Sequence, residues 1–203
     1  MAEVLVLVEQ LDGSVKKVTS ELLTLARSLG EPAAVWVGGG LDDAAAASLA
    51  EFGAATIYVA DSADLSEFAV APKAEVLAQL VAEKSPAAVL VASNAEGKEV
   101  AGRLAVKTNS GVITDAVAVD SGFVATQSVF GGSTVVHSKV TKGTPIITVR
   151  PNSVAPEAAA GAGTKVTVSV SLSDSAKKAK VTGRTVAAKG GRPELAEAAI
   201  VVS

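Results

Sequence analysis

A chain of 203 residues with 49% apolar and 19% charged residues can bury a large core, which excludes a disordered chain. A formal net charge of −3 and 3% aromatics argue against a nucleic-acid surface, which needs a positive field or stacking rings. The absence of cysteine excludes disulfides, thiolate catalysis, cysteine-ligated zinc and iron–sulfur clusters.

Met1-Ala2-Glu3 runs straight into the apolar residues 4–8, without the basic start and long apolar core of a signal peptide. No uncharged apolar stretch is long enough to span a bilayer. The expected location is the cytoplasm or, after processing, the mitochondrial matrix, with no direct membrane insertion. Residues 4–8, 33–37, 56–60 and 87–91 are continuous Val/Ile/Leu/Ala runs without polar alternation, the mark of strands buried on both faces. Between them, helical stripes run through Val18, Leu22, Leu25 and Leu29, then Leu41, Ala45, Leu49 and Phe52, then Val70, Ala74, Leu77 and Val81. A fourth passes through Val100 and Leu104 after the last run. Gly30, Gly53 and Ser85-Pro86 sit where the first three should stop. The alternation predicts a three-layer, Rossmann-like α/β domain with a parallel central sheet.

After residue 110 the pattern changes to shorter strands over 112–120, 123–130, 134–140 and 145–150. Ser121-Gly122 and Lys142-Gly143 read as hairpin turns. The expectation is an antiparallel β addition, with one of these strands returning to the main sheet. Residues 151–163, rich in Ala, Gly and Pro, read as a loose surface loop, and 166–172 as an edge strand. Domain limits follow: 1–172 an N-terminal α/β domain, 173–197 an exposed connector, and 198–203 the first strand of a truncated C-terminal domain. The last reading rests on a terminal apolar run that needs strand partners.

Ser93-Asn94-Ala95-Glu96-Gly97-Lys98 follows the fourth run and opens a helix. Ser93 and Glu96 fit a capping box. Ser93, Asn94 and Gly97 are also candidates for a phosphate or other anion site at a helix N-terminus, against the simpler reading of a well-capped helix. Lys98 is no Walker lysine, since Ala92 and Glu99 break the P-loop pattern at both ends. Gly38-Gly39-Gly40 lacks the third glycine of a dinucleotide fingerprint, with Asp43 in its place, and reads as a permissive turn. His137 is the single histidine, so zinc is not expected, and with Ser133 and Ser138 nearby no carboxylate completes a triad. Asp42-Asp43 reads as a helix start rather than an acid/base pair. No catalytic or metal-ligating set is expected.

Several segments in order resemble the alpha subunits of electron transfer flavoproteins, including the FixB type. They are Val4 to Glu9 followed by Asp12-Gly13, and Gly97-Lys98-Glu99-Val100-Ala101-Gly102-Arg103-Leu104-Ala105 with its G-[KR]-x-[LV]-x-x-R-[LV]-A pattern. Gly111-Val112-Ile113-Thr114-Asp115, Phe130-Gly131-Gly132, Ile147-Thr148-Val149-Arg150-Pro151 and Arg192-Pro193-Glu194-Leu195 with Ile200-Val201-Val202-Ser203 complete the set. Thr126-Gln127 and Ser133 depart from the usual Arg-Pro and Asn.

The resemblance implies an alpha/beta heterodimer carrying one FAD, which takes electrons from dehydrogenases, often acyl-CoA dehydrogenases, and passes them to a membrane quinone oxidoreductase. It implies that this domain is scaffold and subunit interface rather than an enzyme. The FAD contacts would lie beyond Ser203, so this chain alone is expected to hold FAD weakly or not at all, and AMP would sit in the beta subunit. A stand-alone adenine-nucleotide module of the universal-stress-protein kind has the same layout and is the alternative. Val117, Val119, Val124, Val129 and Val135 cannot all face inward, which marks 112–140 as the expected partner surface, unless the connector from Ser173 to Arg192 folds back over it.

Overall fold

Runs of apolar residues that never alternate with polar ones need a sheet covered on both sides, and the chain builds one. The computed structural model describes residues 2–185, 198 and 200–202. β1 (Glu3–Leu7) leads into a small hairpin of β2 (Gln10–Leu11) and β3 (Ser14–Val15). Then come α1 (Lys17–Leu29), β4 (Glu31–Val37), α2 (Asp43–Glu51), β5 (Thr56–Ala60), the short α3 (Ala63–Glu67) and α4 (Ala71–Lys84). β6 (Ala88–Ala92), α5 (Ala95–Thr108), β7 (Val112–Val119) and β8 (Val124–Val129) follow. A 3-10 turn at Phe130–Gly132 precedes β9 (Thr134–Lys139), β10 (Ile146–Val149) and β11 (Thr164–Thr167).

The main sheet has the order β11-β5-β4-β1-β6-β10-β7-β8-β9. From β11 to β7 every pairing is parallel; β7–β8 and β8–β9 are antiparallel. The returning strand is β10, which enters in parallel between β6 and β7. β7 is therefore part of the parallel sheet, and the antiparallel addition consists of β8 and β9. Lys142-Gly143 closes no hairpin. The Gly111 amide donates to Lys142 O at 3.0 Å, so this loop lies against the start of β7 and hands the chain to β10.

Period-two geometry divides each strand between two cores. Val4, Val6 and Val8 join Leu22, Leu23, Trp36, Leu49, Leu90 and Ile147 on the face covered by α1 and α2. Leu5 and Leu7 join Val35, Leu77, Leu80, Val89, Val91 and Leu104 on the face covered by α4 and α5. The helical stripes hold at their centres, but Leu41 and Phe52 flank α2 and Val70 precedes α4 at φ 57°, while Val76 and Leu80 add to the buried face.

Residues 151–163 contain no regular element, yet they are not loose. The Ala159 amide donates to Glu51 O at 2.8 Å and the Gly161 amide to Ala50 O at 2.7 Å. These carbonyls lie in the last turn of α2, where the i+4 partners run out, so the strap adds bonds that the helix cannot supply. The Asn152 amide donates to Glu21 Oε2 at 2.8 Å, and Arg27 Nη2 to Glu157 O at 2.8 Å, which ties the strap to α1 as well. A Cβ on Gly161 would collide with the Ala54 carbonyl, which explains a small-residue composition that looks like disorder in the sequence.

β11 begins at Thr164, two residues earlier than expected, and pairs with β5 at the sheet edge. Beyond it, Val168, Val170 and Leu172 pack against the α4 side of the core. The segment 173–185 is exposed except for Ala176, but it docks on α3 and α4 rather than over residues 112–140. Residues 186–197, with the Arg192-Pro193-Glu194-Leu195 motif, lie outside the described residues. Ile200, Val201 and Val202 are exposed and carry no strand assignment.

Across the bottom of the sheet, the hydroxyl of Tyr58 donates to both carboxylate oxygens of Glu3, at 2.9 and 3.0 Å. Burial, reinforced by the Glu3 carboxylate, pushes its pKa up to about 12. Tyr58 is the single tyrosine, so phenolate absorbance reports it alone. The expected titration midpoint is near 12, falling towards the ordinary value in Glu3→Gln, with burial keeping part of the shift. The folded pKa is raised, so the associated stability is intact below about 10 and lost as pH climbs through the folded value. A wild-type midpoint near 10 in the folded protein would contradict this placement.

Candidate functional site

In an open parallel sheet, the place to look is the crevice at the carboxyl ends where strand order reverses. Here the chain runs outward from β1 to β4 and β5, then returns to β6 on the other side of β1. At the end of β1 stands the β2–β3 hairpin. Thr19 ties it to α1, its Oγ1 accepting the Glu9 amide at 2.9 Å and donating to Glu9 O at 3.2 Å. The hairpin turn packs on the glycine turn after β4: a Cβ on Gly13 would lie 3.1 Å from Gly40 O. Gly38 and Gly40 have φ 100° and 86°, and Trp36 Nε1 donates to Gly38 O at 2.9 Å. This is the permissive turn the sequence suggests. Asp42 then caps α2, accepting the Ala45 amide at 2.7 Å.

After β6 the cap falls one residue later than expected. Asn94, not Ser93, is the N-cap of α5, and its Oδ1 accepts the Gly97 amide at 2.7 Å. Ser93 and Glu96 form no capping box. Ser93 is still held by the sheet, its amide donating to Val149 O at 2.8 Å, and Glu96 pairs with Lys73 at 2.7 Å. Gly97 packs against the end of β6, where a Cβ would run into the Ala92 carbonyl. Glycine is thus required by close helix–strand approach.

Ser93 instead opens a polar cluster with β7 and β10. Asp115 sits at φ 62° within β7, where the register with β10 slips. Asp tolerates this conformation better than most side chains. The bulge turns the Asp115 amide to Thr148 Oγ1 at 3.0 Å, and Thr148, fully buried, donates to Ser93 Oγ at 3.0 Å. Ser93 Oγ donates in turn to Asp115 Oδ1 at 3.3 Å. Arg150 closes the cluster, with Nη2 at 2.6 Å from Asp115 Oδ2, Nε at 3.3 Å from Oδ1, and Nη2 at 2.9 Å from Ser128 O. The Arg150 guanidinium holds the Asp115 carboxyl below the usual carboxylate range, and Asp115 raises Arg150 in return.

Ser93, Asn94 and Gly97 are therefore neighbours, as their sequence positions require, but they do different work. Ser93 faces a carboxylate, Asn94 caps, and Gly97 permits contact. Asp115 and Arg150 carried no chemistry in the sequence reading. Their signal was an acidic residue inside an apolar strand and a basic one closing another. His137 is exposed on β9, its Nδ1 3.2 Å from Thr126 Oγ1, while Ser133 bonds Phe130 O and Ser138 bonds Gln127 Oε1. Among the described residues no three His, Asp or Glu side chains form a group that could hold a metal ion.

Three substitutions test this geometry. Gly97→Ala should cost about 3 kcal/mol or more by chemical denaturation, since backbone rather than a flexible side chain blocks the added methyl. Asp115→Asn keeps the tolerance for positive φ and loses the charge pair, at about 1 kcal/mol. Asp115→Ala adds backbone strain of about 1–2 kcal/mol. A depressed carboxyl contributes above its unfolded pKa and loses that contribution as pH falls through the folded value, so stability should drop below about pH 4 more steeply in wild type than in Asp115→Asn. Equal acid limbs would contradict the pairing.

Residues 4–175 match the electron transfer flavoprotein domain family. The chain is 46% identical over 204 residues to the electron transfer flavoprotein subunit alpha of Mycobacterium leprae, covering 100% of this chain and 64% of that protein. It is 49% identical over 171 residues to the subunit alpha of Mycobacterium tuberculosis (strain ATCC 25618 / H37Rv), covering 84% and 54%. Against the subunit alpha of Syntrophomonas wolfei it is 34% identical over 209 residues, covering 100% and 65%. The chain spans less than two thirds of the length of these relatives. The bulged β7, the returning β10 and the α5 turn all lie within the matched span, and the chain belongs to the electron transfer flavoprotein domain family.

Proposed function

We propose that this chain is the N-terminal scaffold of an electron transfer flavoprotein alpha subunit, a carrier rather than a catalyst. Residues 1–172 supply the scaffold and 173–197 connect it to a flavin-binding domain opening at 198–203. FAD is held mainly by that second domain, and AMP by the beta subunit. The complete heterodimer takes electrons from acyl-CoA or other dehydrogenases and delivers them to a quinone oxidoreductase, in the cytoplasm. The reading rests on the resemblance of residues 4–175 to this family.

The scaffold role also accounts for the arm formed by β7, β8 and β9. Val119 is buried and Val117, Val124 and Val129 are half-buried, while Val135 is 59% exposed. The exposed set also includes Val136 and, at 83%, Phe130 in the turn between β8 and β9. An apolar turn tip and an edge strand with two exposed valines suit a persistent partner. The beta subunit is the partner we infer. A nucleotide module is a poorer description, because the hairpin and the glycine turn fill the ends of β1 and β4, and Asp115 stands beside Ser93 where an anion would sit. The Ser93–Asn94–Gly97 turn fixes α5 on the sheet.

Hydrogen exchange with and without beta subunit tests the interface. Amides of residues 112–140 should gain protection when beta is added; equal exchange in both samples would remove the arm from the interface. Phe130→Ser should leave the thermal midpoint unchanged and weaken beta binding at least about tenfold. Flavin absorbance after desalting should stay with the complete alpha–beta protein and not with this chain alone.

A further inference from the structure

Across α3 and the start of α4, the charged contacts of residues 173–185 all share one polarity. Lys177 Nζ lies 2.5 Å from Asp64 Oδ2, Lys180 pairs with Glu67, and Arg184 Nη1 lies 3.1 Å from Asp12 Oδ1. Every base comes from the segment and every acid from the body. Ser173 adds two bonds to Glu75, from its amide at 2.9 Å and its hydroxyl at 2.6 Å. Within 173–185 only Ala176 is buried. Little apolar surface holds this segment down, so exposed, screenable ion pairs carry an unusual share of its attachment.

The backbone contacts fall on one short stretch. The Ala69 amide donates to Ala179 O and the Val181 amide to Glu67 O, both at 2.9 Å, and Phe68 bridges Lys180 in antiparallel fashion. The next residue is Val70, at φ 57° and ψ −57°. The Ala71 amide donates to Ala69 O at 2.6 Å across it, which makes a γ-turn of the rare, strained hand. Positive φ at a β-branched residue is a genuine outlier. Such strain persists only where the surroundings over-determine it. Two constraints act on Val70: its side chain packs on the α4-side core, and the docked segment bridges Phe68, which is extended just after α3.

We propose that residues 173–184 form a releasable ionic clasp, which docks through an antiparallel bridge to Phe68 just after α3, maintains the strained reversal at Val70, and lets it relax on release. Closed, the clasp steers the chain towards Asp12 and the β2–β3 hairpin at the carboxyl end of the sheet. Open, it frees both that path and the start of α4. Ionic strength and charge reversal are the levers, because the ion pairs that reinforce the backbone bonds are exposed and of one polarity.

Amide hydrogen exchange on the 203-residue chain reads the clasp directly. The Ala69 and Val181 amides report opening, and the Val168 amide, bonded to Val59 O, is the control on β11's continuation. Exchange at Ala69 and Val181 should rise at least about threefold between about 0.02 M and about 1 M NaCl, with Val168 unchanged. Lys177→Glu should raise it at low salt and weaken the salt response; adding Asp64→Lys should restore both. Val70→Gly and Val70→Ala both delete the side chain, but only glycine relieves positive φ, so Val70→Gly should exchange several-fold more slowly than Val70→Ala. Salt-independent exchange, failure of the double reversal to rescue, or equal exchange in the two Val70 variants would overturn the proposal.

Discussion

The sheet is apolar on both faces, so everything that covers it must come close enough to exclude water. Close approach explains the composition. α5 reaches β6 because Gly97 has no Cβ to meet Ala92 O, and the strap reaches the end of α2 because Gly161 has none to meet Ala54 O. Helices lined partly by alanine, such as α2 with Ala45 and Ala46, let axes settle near the strands. The large side chains, Trp36, Leu5 and Leu90 among them, come mostly from the strands and from one stripe of each helix. With both faces sealed, polar groups are pushed to strand ends, bulges and straps, and each must find a partner there.

The cluster around Asp115 is a consequence of that rule. Inserting β10 between β6 and β7 brings a buried Thr148 hydroxyl beside a strand whose register slips. The bulge frees the Asp115 amide, Thr148 accepts it, and Ser93 links Thr148 to the Asp115 carboxylate. Arg150 then neutralises Asp115 and also satisfies Ser128 O on β8. One set of side chains thus fastens three strands and the mouth of α5. Its energetic weight comes from hydrogen-bond completeness more than from charge, since the ion pair is partly exposed.

The parallel core was legible because continuous Val/Leu runs at regular spacing admit few other solutions. Helix faces were legible for the same reason, as period 3.6 places Leu22, Leu25 and Leu29 together. What the sequence hid were features set by contacts distant along the chain. Residues 151–163 look loose because a run of Ala, Gly and Pro has no apolar periodicity of its own, and only the carbonyls ending α2 reveal their use. The capping box failed by one residue because Ser93 and Asn94 are both good caps, and Thr148, 55 positions away, claims Ser93. Lys142-Gly143 resembles a hairpin turn, but strand pairing is decided by where β10 can be buried, and the gap beside β6 outweighs local turn preference. Two of the segments that carry the family resemblance do physical work in this topology: Gly97 permits the close approach of α5 to β6, and Asp115 sits at the bulge of β7.

The two edges of the sheet are managed differently. β11 is short and polar, with Lys165 paired to Asp43 at 2.8 Å, and the chain continues past it onto the α4 side of the core. Such an edge resists further pairing through charge, brevity and a covering segment. β9 has fewer of these defences. It is the longer edge strand, its exposed residues include Val135 and Val136, and of its six residues only Lys139 at the end carries a fixed charge. The β7–β9 meander is packed mainly from one face, through Ile113, Ala116, Val119 and Ala125, so its other face gains little from this chain's own core. Among the described residues nothing pairs with this edge, and such a strand is a liability for a solitary domain and an asset for one with a constant neighbour. The asymmetry between β11 and β9 is therefore the physical ground for proposing a partner on the β9 side.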